Sequence, residues 1–234
     1  MKIKSVRFLL TSIRRLFYPR VCVLCCLALV KSERQLCAFC LRKLPKTRIL
    51  NAAHNPVFDI FRGRIPVRNA GAFLVFRSGG IARQLLHEIK YKDNRDLAVW
   101  LGELYAAELL ERGIEPVDFI IPVPLHRRKQ KQRGYNQSEA FALGIGGKWQ
   151  IPVCTDVLVR KKFTQTQTRK SKWERWRNVQ EVFVVANTEM LTGKKILLVD
   201  DVVTTGATLE ACTRVLLNAG AEKVDVQTIA YAKE

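Results

Sequence analysis

The chain contains no run of eighteen or more apolar residues, so no segment reads as a membrane-spanning helix. It is also short of acid: 21 Asp and Glu stand against 40 Lys and Arg, a formal charge of +19. A field of that sign favours polyanions, whether nucleic acid, phosphorylated substrates or an anionic membrane surface, and composition alone does not choose among them. Histidine is scarce. His54, His87 and His126 have no acid or metal partner evident nearby, which leaves them without a catalytic assignment. No internal repeat or low-complexity tract is present. What remains is a 234-residue, 48% hydrophobic chain that suits one main globular domain with a small appendage.

The beginning of the chain resembles a secretory signal only superficially. Met1 to Arg20 is basic and partly apolar, but Thr11, Ser12, Arg14 and Arg15 interrupt it and no small-residue cleavage site follows. Ile3, Val6, Leu9, Leu10, Ile13, Leu16 and Phe17 fall at helical spacing, which predicts an amphipathic helix, expected to pack on its own domain, with a membrane surface as the alternative. The expected location is cytoplasmic.

Five of seven cysteines lie between Cys22 and Cys40. Cys22-x2-Cys25 and Cys37-x2-Cys40 have the count and spacing of a four-thiolate structural zinc site, with no open position for catalysis. An iron–sulfur centre and a redox dithiol pair are the competing readings. The segment has few apolar residues, so metal is expected to supply much of its folding free energy. Cys26 stands where such a knuckle usually carries a small residue. Cys154 and Cys212 read as small core residues.

The richest segment is Lys195-Ile-Leu-Leu-Val-Asp-Asp-Val-Val-Thr-Thr-Gly-Ala-Thr208. An apolar run ends in Asp200 and Asp201, a hydroxyl-rich turn follows, and Leu209 to Leu217 reads as a helix. Backbone N–H groups of such a turn, with the positive end of the helix dipole, suit a phosphate. Thr204, Thr205 and Thr208 add hydroxyls, and Gly206 permits close backbone approach. The segment closely resembles the phosphoribosyl-pyrophosphate (PRPP) loop of type I phosphoribosyltransferases. That resemblance implies that Asp200 and Asp201 hold the ribose 2′- and 3′-hydroxyls and that Thr204, Thr205, Gly206, Ala207 and Thr208 hold the 5′-phosphate.

Elsewhere the pattern alternates strands with helices. Strands are expected at 67–76, 117–123, 157–159, 182–185, 195–201 and 224–230, and helices from Gly79-Gly80 to about Lys90, over 94–111 and over 135–143. This predicts an α/β domain, a mostly parallel sheet flanked by helices, with ligands beyond the strands' carboxyl ends. The expected organisation is a helix and zinc module at 1–50, a linker at 51–66 and a phosphoribosyltransferase-like domain at 67–234.

Positive charge is clustered. Residues 1–50 carry twelve basic side chains and one acid, Glu33. Leu125 to Arg133 adds five bases in an expected loop, of which Arg128, Lys131 and Arg133 are candidates to neutralise a pyrophosphate. Tyr135 and Asn136 can bond a phosphate or cap the next helix. Arg160 to Asn178 mixes bases with Trp173 and Trp176, which suits a lid over PRPP, a surface stacking the bases of a single strand, or two core tryptophans on a short helix.

Taken together, the double knuckle, Leu44-Pro45, Glu88-Ile-Lys-Tyr-Lys-Asp, Pro122-Val-Pro-Leu, Arg133-Gly-Tyr-Asn-Gln, Arg175–Asn178 with Phe183, and the Val199–Thr208 motif resemble the ComF family, which includes bacterial competence proteins and GntX-like proteins. The resemblance implies a zinc module on a type I phosphoribosyltransferase domain. For competence members it implies a role in DNA uptake, with single-stranded DNA and a helicase as partners. Two functions stay open. One is a DNA-uptake accessory protein; the other is a working phosphoribosyltransferase in which magnesium with Asp200 and Asp201 holds PRPP. No residue stands out as a nucleophile, and only Thr47–Arg77 is available as a hood over an acceptor.

Overall fold

The computed structural model describes residues 20–47, 55–115, 117–160 and 182–232. The expected N-terminal helix and both tryptophans of the basic segment lie outside these residues. The chain divides into two compact units, Met1–Leu44 and Pro45–Glu234.

Among the described residues of the small unit, Cys22, Leu36, Cys40 and Leu44 are the buried apolar ones. Its first knuckle closes through Cys26 N–H to Cys22 O at 2.9 Å and Cys22 N–H to Leu27 O at 2.8 Å. A five-residue helix, α1 (Ala38–Arg42), follows the second. Its N-cap, Cys37, offers no side-chain acceptor. Glu33 supplies one instead, accepting from Ala38 N–H at 2.7 Å and, on its other oxygen, from Val30 N–H at 2.9 Å. The single acid of the first fifty residues thus clamps the loop between the two knuckles.

In the large unit the chain runs α2 (Pro56–Asp59), β1 (Ala70–Phe76), α3 (Ile81–Tyr91), α4 (Arg95–Glu111), β2 (Phe119–Pro122), α5 (Arg127–Arg133), α6 (Gln137–Trp149), β3 (Leu158–Arg160), β4 (Phe183–Val185), β5 (Lys195–Val203), α7 (Ala207–Asn218) and β6 (Lys223–Ala232). The main sheet has the order β1-β6-β5-β2, all parallel, and β3-β4 form a separate antiparallel pair. A parallel bridge from Ile120 to Val153 extends the sheet beyond β2. Ile196, Leu198, Val224 and Val226 pack with Leu209, Cys212 and Leu216 of α7 on one face. Alternate residues turn to the other face, where α6 lies across β2 and β5. There α4 and α6 meet so closely that a Cβ at Gly144 would stand 1.9 Å from Val99 O. Glycine lets α6 settle at that depth, and its first turn then reaches the end of β5.

Two expectations need correcting. The segment from Asn55 to Ile65, expected as part of a linker, belongs to the core: Val57 and Phe61 are fully buried. Asn55-Pro56 is a helix start, not a break. The Asn55 side chain accepts from Val57 and Phe58 N–H at 3.0 and 3.1 Å and donates to Ala70 O at 2.6 Å, while proline fills the first helical position. The basic stretch after β2 is likewise a helix. His126 caps it by accepting from Arg128 N–H at 3.2 Å, and Gly134, at φ +77°, ends it.

Candidate functional site

β2 and β5 are neighbours whose chains leave in opposite directions. β5 passes through α7 to β6 on one side, and β2 passes through α6 to the Val153 bridge on the other. Such divergence opens a crevice beyond the carboxyl ends of the strands. Asp200 and Asp201 lie at that end of β5. Beside them a small pocket of about 70 Å³ is lined by Asp200 and Val202 to Leu209.

The turn is held in shape from beneath. Gly206 has φ +76°, and a Cβ there would stand 2.5 Å from Ile60 Cγ2 and 3.0 Å from the Phe61 ring. Arg64 braces it by donating to Thr205 O at 2.8 Å and Ile60 O at 3.1 Å while pairing with Glu210. Glu210 N–H bonds Gly206 O at 2.8 Å as the first turn of α7 closes. Earlier N–H groups at a helix start have no intrahelical acceptor and are available to an anion.

The acids are not loose surface groups. Asp200 Oδ1 accepts from Ser138 Oγ–H and from Asp201 N–H, both at 2.8 Å. Asp201 Oδ2 pairs with Lys90 Nζ at 2.8 Å. Among the described residues one oxygen of each carboxylate is left without a partner. Burial, reinforced by the neighbouring Asp201, pushes Asp200 up to about 7, with Ser138 and the Asp201 N–H opposing the shift. Although Asp200 keeps part of its surface toward the pocket, protein surrounds it closely enough to disfavour a second full charge.

The loop after β2 is tied into the same place. Val123 N–H donates to Val199 O at 2.8 Å; Asn136 Nδ2 donates to Val123 O at 3.0 Å; and Asn136 Oδ1 accepts from Ser138 N–H at 3.1 Å. Asn136 therefore caps α6, and Tyr135 donates its hydroxyl to Ile89 O at 2.6 Å, so both have structural partners. Arg128 and Lys131 are exposed on α5. Arg133 donates to Gln137 Oε1 at 3.0 Å and lies 5.7 Å from the centre of the Tyr91 ring. Lys90, Ser138 and Arg64 belong to the site without having been singled out from sequence; for Lys90 the available signal was its place in Glu88-Ile-Lys-Tyr-Lys-Asp.

The cavity beside the N-terminal half of β1, about 320 Å³, is roomier than the turn pocket. Its buried polar pair is self-satisfied, Tyr105 donating to Gln227 Oε1 at 2.5 Å.

In the small unit the sulfurs of Cys22, Cys25, Cys37 and Cys40 all lie within 4.8 Å of one another, with Cys25 and Cys37 at 3.7 Å. Zn–S bonds of about 2.3 Å in a tetrahedron place sulfurs roughly 3.8 Å apart, so the set fits zinc. Burial opposes ionisation of Cys22, yet backbone N–H groups of Cys25, Cys37 and Leu24 outweigh it and lower its thiol to about 6. Burial and the neighbouring sulfurs push Cys40 up. Four thiolates cannot share this space without a cation. Cys26 is exposed at φ +60°, a conformation for which glycine is the ordinary choice, and is not one of the four.

A parallel sheet with acid pair, threonine turn and helix at one strand end defines a phosphoribosyltransferase-like domain, and residues 150–234 match the phosphoribosyl transferase domain family. Competence protein F of Haemophilus influenzae is 35% identical over 114 residues, covering 48% of this chain and 50% of that protein. DNA utilization protein YhgH of Escherichia coli K12 is 31% identical over 146 residues, covering 61% and 63% respectively. Competence protein ComFC of Bacillus subtilis is 32% identical over 101 residues, covering 43% and 39%. The chain thus spans less than two thirds of the length of these curated relatives. The domain match and these relatives show that part of the chain is similar to competence and DNA utilization proteins and carries a phosphoribosyltransferase-like domain.

Proposed function

We propose that Asp200–Thr208 holds the 5-phosphoribose end of PRPP or a related sugar phosphate, and that the chain acts in DNA uptake as a cytoplasmic protein that also binds single-stranded DNA. The observation that carries the sugar-phosphate reading is the free oxygen on each of two adjacent carboxylates beside a turn of available N–H groups. In this reading Asp200 and Asp201 accept from the ribose hydroxyls, Thr204, Thr205, Gly206, Ala207 and Thr208 take the 5′-phosphate, and Arg128, Lys131 and Arg133 face the diphosphate. The names of the relatives support the uptake role. The +19 charge supports a nucleic-acid partner; a helicase follows only from the family resemblance. Zinc at the four cysteines is structural, filling a closed shell.

Magnesium does not fit the acid pair as a resident ion. Near-octahedral magnesium asks for several oxygens at close range, whereas here Lys90 and Ser138 already occupy two of four. Among the described residues only the four cysteines form a group of three or more potential ligands. Magnesium enters with PRPP, as part of the substrate.

The second reading is a working phosphoribosyltransferase acting on an unidentified acceptor, favoured by the intact acid pair and turn. Complementation of a transformation-deficient host tests the uptake role and its dependence on the site. Wild type is expected to rescue and Asp200→Asn/Asp201→Asn to fail; normal transformation by the double mutant would remove the sugar-phosphate site from the uptake role. Single-strand affinity is expected to fall steeply with salt, and a flat response would count against DNA.

A further inference from the structure

We propose that Lys90 is the built-in counter-ion of the sugar-diol site, so that 5-phosphoribose binds without a divalent metal and only the diphosphate arm of PRPP calls for magnesium. The proposal rests on the sugar-phosphate reading above and assigns Lys90 as a positioning residue within it.

Lys90 is not a wandering surface lysine. It stands in the last turn of α3, its side chain 20% exposed and that of its partner Asp201 19% exposed. Leu86 and Ile89 anchor the same turn in the core. The Tyr135 hydroxyl bonds Ile89 O at 2.6 Å, fixing the end of the helix one residue before Lys90. The ammonium therefore reaches Asp201 from a backbone already in place, and little further ordering is needed to form the pair.

Counting oxygens gives the functional consequence. Ser138 and the Asp201 N–H take Asp200 Oδ1, and Lys90 takes Asp201 Oδ2. Among the described residues Asp200 Oδ2 and Asp201 Oδ1 are left, one acceptor on each carboxylate. A vicinal diol offers two O–H donors, so the pairing is complete without a metal. A divalent ion placed on the same oxygens would sit beside an ammonium that holds the neighbouring one. Lys90 thus supplies the positive charge that a metal would otherwise bring to an acid pair.

Titration calorimetry of the full chain with ribose 5-phosphate tests this, in buffer stripped of divalent ions over a chelating resin and again with magnesium, with zinc content checked in each sample. Wild type is expected to bind equally within about twofold in both buffers. Lys90→Met should weaken metal-free binding about tenfold and regain part of it with magnesium, as Asp201 becomes free to accept an ion; Lys90→Arg should behave like wild type. A wild type that needs magnesium for ribose 5-phosphate overturns the assignment without any variant, and so does a folded Lys90→Met that binds normally in metal-free buffer. Folded wild type that binds neither ribose 5-phosphate nor magnesium–PRPP overturns the underlying sugar-phosphate reading, and the role of Lys90 falls with it.

Discussion

The two units are built on opposite economies of structure. The large one buries the apolar run Ile196 to Val199 and, beside it, Val224, Val226, Ile229 and Ala230 between helices on both faces, and its polar site is a small addition at one edge. Among its described residues the small one buries two leucines and two of its own candidate metal ligands, so its core and its binding site overlap. A mutation can therefore separate stability from binding in the large unit and cannot in the small one.

The harshest test of that contrast is removal of a thiolate. Cys40→Ser is expected to abolish binding of about one zinc per chain and unfold the small unit, since structural zinc supplies on the order of 10 kcal/mol. Amide exchange should collapse in residues 20–44 while the sheet stays protected. Survival of the small unit's protection without zinc would break the comparison. The converse is Phe61→Ala, expected to cost the large unit about 3–5 kcal/mol in denaturant unfolding with zinc content unchanged.

Gly206→Ala probes the boundary between packing and binding. A side chain at φ +76° facing Ile60 and Phe61 should cost about 2–3 kcal/mol and weaken ribose 5-phosphate binding, as seen by melting and calorimetry. The smallest effect expected runs the other way. Because Asp200 titrates higher in the folded chain than unfolded, folding retains its proton between about pH 4 and about pH 7, and its contribution to stability declines as pH rises through that window. Asp200→Asn should flatten that slope and stabilise the large unit by about 2 kcal/mol at pH 8, after allowance for solvent screening, while losing ligand. Equal pH slopes for the two proteins would show that the carboxylate ionises without penalty.

What was legible in the sequence was local. Asp200–Thr208 and the two cysteine pairs are each complete within a few residues, so spacing carried their geometry. Lys90, Ser138 and Arg64 reach the same crevice from α3, α6 and the turn after α2, and only the packing of those elements reveals it. The alternation of strands and helices was readable for the same local reason. The helix Arg127–Arg133 was not, because five bases and two glutamines have no apolar period and its limits are set by His126 and Gly134. The Asn55–Ile65 segment was read as irregular because Asn-Pro serves both turns and helix starts.

The hydrogen bonds from Val199 through Val123, Asn136 and Ser138 to Asp200 form a closed ring, completed by the covalent bond between Val199 and Asp200. The ring ties the Asp200 carboxylate, through Ser138, to the loop after β2 and to the end of β5. The amides of Val123, Ser138 and Asp201 should then exchange together, at the pace of the strands and not of a surface loop. In the proposed role a sugar would meet acceptors that the fold has already ordered, and its binding should carry a small entropic penalty.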